Sequence, residues 1–135
     1  MMTESTAKKL GAKPIARLLG HATHAQQPEW FSTAPVGAVA KLFKKTGWGV
    51  KDVDLWEVNE AFAVVPMALM HELDVSHAVV NVHGGACALG HPIGASGARI
   101  MVTLIHALQQ KGKKRGVATL CIGGGEGTAV AIELV

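Results

Sequence analysis

The hydrophobic positions of this chain fall into short runs whose period alternates between strand-like and helical. Ala12–Ala22, around Pro14, mixes apolar with small residues and is predicted to be a strand. The stretch from His24 to Phe31 is polar and holds Pro28, the composition of a loop. Ser32, Thr33 and Pro35 supply the N-cap and first-turn signals of a helix. Val36, Val39, Ala40 and Phe43 then recur at helical spacing, and Gly47 stops it. Val53–Val58 alternates as V-D-L-W-E-V, a short strand. Ala61–Leu73 is apolar with Pro66 inside, so a helix is expected there that is either kinked at Pro66 or starts late.

Val79, Val80 and Val82 suggest a third short strand, ending in Gly84-Gly85. A glycine-rich segment, Gly90–Gly97, leads into a helix predicted over Ala98–Gln110. That helix is apolar on most of its faces, as expected of one buried between two layers. Val117–Ile122 and Thr128–Val135 are apolar runs around Gly123-Gly124-Gly125-Glu126-Gly127. They predict a hairpin with a wide glycine turn and strands buried on both faces. The order β-α-β-α-β-α-β-β predicts an α/β domain with a mixed sheet.

Composition narrows the picture. A chain of 135 residues is one domain's worth, and 49% apolar against 17% charged residues is enough to build a core. Tyr is absent and aromatics are 4%, so that core must be aliphatic. Cys87 and Cys121 form neither a disulfide framework nor a CxxC pair, and no metal site is expected. Met1–Leu10 lacks the apolar core of a signal peptide. Ile100–Leu108 is too short for a span of about 20 residues. The expectation is a soluble cytoplasmic protein with no membrane partner. A net charge of +3 and a pI near 9.0 are mildly basic. The run Lys111, Lys113, Lys114, Arg115 contains no aromatic residue to stack a base, so it reads as a solvated turn and no nucleic-acid partner is expected.

Three clusters could carry chemistry, each at the end of a predicted strand, where α/β domains place functional groups. In Asn59-Glu60-Ala61-Phe62 the Asn side chain could N-cap the next helix, or hold a water or polarise a carbonyl. In Gly84-Gly85-Ala86-Cys87-Ala88-Leu89-Gly90-His91-Pro92-Ile93-Gly94-Ala95-Ser96-Gly97, His91 sits between Gly and Pro on a stiff backbone. Small neighbours leave its ring room to face a cavity, and a helix N-terminus lies just downstream. The spacing fits neither a phosphate-binding P-loop nor the GxGxxG dinucleotide pattern. In Cys121-Ile122-Gly123-Gly124-Gly125 a cysteine closes a buried strand. It is either an inert small hydrophobe or, with three glycines behind it, a thiol facing an opening. Exposed N–H groups from Gly123 onward could stabilise an oxyanion.

Taken in order, Asn59-Glu60-Ala61-Phe62, then Gly90-His91-Pro92-Ile93-Gly94-Ala95-Ser96-Gly97, then Cys121-Ile122-Gly123-Gly124-Gly125 resemble the C-terminal signatures of thiolases. These are the acetyl-CoA acetyltransferases and 3-ketoacyl-CoA thiolases, and the resemblance runs from about Ala12 to Val135. It implies a thiolase-like C-terminal domain over residues 1–135, with helices on both faces of a mixed sheet. It implies that Cys121 is the acid–base cysteine of the Claisen condensation and its reverse. His91 would activate the nucleophilic cysteine and line a first oxyanion hole, Asn59 would hold the water completing that hole, and the N–H of Gly123 would serve a second. CoA thioesters are the implied substrates, with no bound cofactor, and homo-oligomers are the implied assembly.

The resemblance also implies what is missing. A full thiolase is much longer, with two similar halves, and the first bears the cysteine that becomes acylated. Cys87 does not match that cysteine by motif, and the loops that hold the pantetheine and adenine of CoA are largely absent. An N-terminal half is therefore the expected partner, and alone the chain is expected to be marginally stable, to aggregate or to oligomerise. A catalytically inactive binding or assembly module is the competing reading. The related ketoacyl-ACP synthases lack a second catalytic cysteine, so Cys121-Ile-Gly-Gly-Gly argues against them.

Overall fold

A computed structural model describes all 135 residues. Its helices are α1 (Glu4–Lys9), α2 (Ala34–Thr46), α3 (Val64–Leu73), α4 (Ala86–Leu89) and α5 (Ser96–Gln110). Its strands are β1 (Ala16–Ala25), β2 (Leu55–Val58), β3 (Arg115–Ile122) and β4 (Glu126–Leu134). They form one sheet in the order β1-β4-β3-β2. The pairs β1·β4 and β3·β4 are antiparallel, while β2 runs parallel to β3. A tight turn joins β3 to β4, whereas the parallel pair needs the long crossover through α3, α4 and α5. The sheet is mixed, as the sequence led us to expect.

Side-chain alternation along β3 assigns the two faces. Val117 and Cys121 pack with Ala38, Val39 and Leu42 of α2. Ala118 and Leu120 face the other way, onto Ile100, Leu104 and Leu108 of α5. Helices therefore cover both faces. Gly116 leaves room for α5 on the sheet, because a Cβ there would meet the Leu104 side chain at 2.8 Å.

Several elements differ from those the sequence predicts. Val79–Val82 is not a strand. His77–Val79 is a turn of 3-10 helix, and one parallel bridge, Trp56 to Val80, is the only backbone pairing of this segment with the sheet. Asn81 then turns left-handed (φ +48°) and takes the chain away. The first strand is Ala16–Ala25, not Ala12–Ala22, because β4 offers pairing as far as Ala25 opposite Glu126. His24 and Ala25 thus belong to a strand and not to the loop, and Pro28–Thr33 is 3-10 helix. The short helices α1 and α4 were not foreseen.

Helix α3 starts late. Its N-cap is Ala63, and Pro66 sits in the first turn, where its missing N–H costs nothing. Helix α5 begins two residues earlier than expected and buries only one face. Ile100, Leu104, Ala107 and Leu108 lie against the sheet, while Val102 is 55% exposed. No second layer covers that outer face within this chain. Residues 111–115 form the helix-to-strand turn expected of them. Gly112 is left-handed, and Asp54 accepts hydrogen bonds from the N–H groups of Lys114 and Arg115 at 3.0 and 2.8 Å. No helix is long and apolar enough to cross a membrane.

Candidate active site

The parallel strands β2 and β3 bring two of the three sequence clusters to the same edge of the sheet. Val58 pairs with Thr119, and the next N–H, that of Asn59, donates to the Thr119 carbonyl at 2.9 Å. Asn59 is fixed as the last rung of the ladder, and Cys121 lies two residues further along β3. The carboxyl ends of parallel strands are where open α/β sheets collect ligands.

Asn59 does not N-cap α3, which starts at Val64. Its fully buried amide approaches His91 instead, with Nδ2 3.5 Å from Nε2. The Oδ1 atom is buried without a hydrogen-bond partner in the chain. Such an atom needs a donor, and a water is the simplest one.

His91 is half-buried, between Gly90, whose φ of +93° only glycine adopts readily, and Pro92. The ring does not bond to the backbone. Its Nδ1 lies 2.6 Å from Ser96 Oγ, and Ser96 Oγ donates to the Pro92 carbonyl at 3.1 Å. Ser96 is 3% exposed and opens α5. The loop from Gly90 thus returns to its own histidine through the first residue of the helix. Reading the sequence left Ser96 as one small residue among many; only the fold shows its contact with His91.

Cys121 is a free thiol, 6% exposed and part of the larger core cluster. It does not face an opening in this chain. Burial pushes its pKa up, so the thiol is protonated at neutral pH. Gly123 is exposed, with open space around its Cα, and the turn is closed by Gly125 N–H donating to Ile122 at 3.1 Å. The Gly123 N–H takes no part in that closure and remains free for a ligand oxygen.

Two carboxylates had no role assigned from the sequence. Glu57, on β2, is 1% exposed, and its Oε2 meets Arg99 of α5 at 3.4 Å. Burial pushes its pKa up to about 7, against the pull of Arg99. Glu57 Oε1 and Arg99 Nε have no partner. Every position of β2 is buried, Glu57 included. Glu60 accepts from Asn81 Nδ2 at 2.8 Å and from the Cys87 N–H at 3.0 Å. Burial raises its pKa, but these bonds outweigh it and hold the carboxyl below its ordinary value. Gly85 makes this possible, since a Cβ there would occupy the space of the Glu60 carboxylate. A cavity of about 220 Å³ lies beside this point, lined by Glu60, Met67, Met70, His77 and Cys87 among others, and not by His91 or Cys121. Nowhere do three or more His, Cys, Asp or Glu side chains group so as to hold a metal ion.

The strand end at Asn59 and the glycine loop bearing His91 thus meet on the same side of the sheet as Cys121. The family model for the thiolase C-terminal domain matches residues 12–134, and the chain belongs to the thiolase family. It is 54% identical to a probable acetyl-CoA acetyltransferase of Dictyostelium discoideum, over 98% of this chain and 32% of that one. It is 50% identical to the acetyl-CoA acetyltransferase of Chromobacterium violaceum, over 98% and 34%. Among solved structures, the Bacillus anthracis acetyl-CoA acetyltransferase superposes with a TM-score of 0.96 at 44% identity, over 99% of this chain and 34% of that one. Human mitochondrial 3-ketoacyl-CoA thiolase gives 0.95 at 44% identity, over 98% and 34%. The chain spans about a third of the length of these relatives.

Proposed function

We propose that this chain is the C-terminal catalytic domain of an acyl-CoA C-acetyltransferase, which condenses two acetyl-CoA or cleaves 3-ketoacyl-CoA by thiolysis. The observation that carries the reading is the Asn59–His91–Ser96 chain of contacts at the end of β2, beside the strand β3 that carries Cys121. An N-terminal half completes the site with the cysteine that becomes acylated, whether on the same polypeptide or another. CoA thioesters are the substrates, and the reaction needs no resident cofactor.

In thiolysis, His91 Nε2 takes the proton of the nucleophilic thiol, whose sulfur attacks the 3-keto carbon. The Cα–Cβ bond breaks, and Cys121 gives its proton to the carbon of the departing acetyl-CoA enolate. A buried, protonated thiol is suited to that donation. Asn59, through a water on its unpaired oxygen, and His91 stabilise the enolate oxygen. The Gly123 N–H serves the oxyanion formed when CoA removes the acyl group. In condensation the same steps run backwards, with the Cys121 thiolate as base.

The test is loss of acetoacetyl-CoA absorbance in the presence of CoA, with this chain alone and then mixed with a thiolase N-terminal half. Activity is expected only in the mixture, and Cys121→Ala or His91→Ala should abolish it. A folded but inactive mixture would overturn the catalytic reading and leave an assembly module.

A further inference from the structure

We propose that Ser96 is a positioning residue for His91 that fixes which ring nitrogen carries the proton. This deepens the acyltransferase reading and rests on it for its kinetic consequence, but the tautomer is a property of this chain by itself.

The donors and acceptors around His91 can be followed atom by atom. The Asn59 amide presents Nδ2, a donor, to His91 Nε2 at 3.5 Å, so Nε2 must offer its lone pair. The proton of the neutral ring then lies on Nδ1, 2.6 Å from Ser96 Oγ. That oxygen can accept it because its own hydrogen goes to the Pro92 carbonyl at 3.1 Å. With Nδ2 turned toward His91, every polar atom from Asn59 Nδ2 to the Pro92 carbonyl has a partner in this direction. Reversing the ring proton would aim two N–H groups at each other between Asn59 and His91. Turning the Asn59 amide over would remove that clash, so the placement of Nδ2 toward His91 is what carries the assignment.

The support is rigid. Ser96 is 3% exposed, and its own N–H donates to the Pro92 carbonyl at 2.8 Å, as does that of Ala95 at 2.7 Å. The turn from Pro92 to Ser96 is closed on itself, so the Ser96 backbone cannot drift from the ring without unwinding the start of α5. His91 has no other side-chain partner on its Nδ1 side. A histidine without such an anchor favours the tautomer protonated on Nε2, which cannot accept a thiol proton there. Ser96 therefore keeps Nε2 basic and turned toward Asn59.

Nitrogen-15 NMR of the histidine rings reads this directly in the 135-residue chain, with His91 assigned by the loss of its signals in His91→Gln. The wild type should show a protonated Nδ1 and an unprotonated Nε2. Ser96→Ala should move His91 toward the Nε2-protonated form, and Ser96→Thr, which keeps the hydroxyl, should restore the wild-type pattern. An unchanged pattern in a folded Ser96→Ala chain, or a wild type already protonated on Nε2, overturns the proposal. In the mixture with an N-terminal half, Ser96→Ala should lower kcat about 10²-fold and leave KM nearly unchanged. A tautomer change accompanied by no thiolysis in any sample would uphold Ser96 and reject the acyltransferase reading.

Discussion

The side chain of Asn81 stands in for a strand beside Val58. Its Oδ1 accepts from the Val58 N–H and its Nδ2 donates to the Val58 carbonyl, each at 2.8 Å. An amide side chain has the same donor and acceptor as a peptide group, so one residue supplies the rung that β2 lacks on its outer side. Nδ2 also reaches Glu60 Oε1, which ties this rung to the acidic residue beside Asn59.

Asn81→Ala should therefore destabilise the chain by about 2–4 kcal/mol, since two backbone groups lose their partners at once. Urea denaturation followed by circular dichroism measures it. A loss under 0.5 kcal/mol would mean that water replaces the amide at no cost, in the range of an ordinary surface change.

Glu57 should make the chain less stable as the pH rises. Its folded pKa, about 7, lies above the 4.5 of an unperturbed Glu, so the folded state holds the proton more tightly. That favours folding fully below pH 4.5, and the advantage is lost as pH climbs toward 7. Asp54 and Glu60 are shifted downwards and act in the opposite sense, but nearer the ordinary carboxylate range than Glu57. Between pH 5 and 7.5 the unfolding free energy should fall by on the order of 2 kcal/mol, and Glu57→Gln should flatten the slope. An equal slope in that variant would place the titration elsewhere.

Two glycines should respond in opposite ways to one added methyl group. At Gly127 a Cβ would sit 2.6 Å from the Ala34 carbonyl carbon and oxygen and 2.8 Å from Pro35 N, which are backbone atoms with no way to retreat. Gly127→Ala should lower the melting temperature through about 1–3 kcal/mol of overpacking. Gly94 has nothing within 4 Å and no positive φ, so Gly94→Ala should be neutral or slightly stabilising. Thermal melts of the two variants side by side decide it.

The two thiols should separate by access. Cys87 is exposed and Cys121 is buried, while both have pKa values raised, Cys121 by burial. Iodoacetamide at pH 8 should modify Cys87 in the native chain and reach Cys121 only in denaturant, as peptide mass spectrometry would show. Native labelling of both at one rate would mean that the end of β3 opens readily.

Much of the architecture was legible because long apolar runs and glycines carry it: α2, α5 and the β3–β4 hairpin stand within a few residues of their expected places. The third strand failed because Val79, Val80 and Val82 have strand composition, yet a left-handed Asn81 ends the pairing after one bridge. Local composition does not reveal that a side chain will finish the ladder. At the site, Asn59 and His91 were named from motif and meet in the structure. Ser96, Glu57 and Arg99 were not singled out, because each matters only through a partner that folding brings to it. Pairs such as Glu57 and Arg99, 42 residues apart, leave no mark in spacing.

The substitution of an amide for a strand also decides how sheets of this protein can grow. An open sheet normally offers two edges on which foreign strands can template. Here the β2 side is closed, because the Trp56 carbonyl is taken by the Asn81 N–H and the Val58 groups by its side chain. Only β1 remains, and it is a poor template. Its pairing slips between Leu18 and Gly20, Pro14 precedes it, and the His21 carbonyl is held by Lys45 Nζ at 2.9 Å. Recruitment of extended peptide, wanted or unwanted, must begin on that interrupted margin.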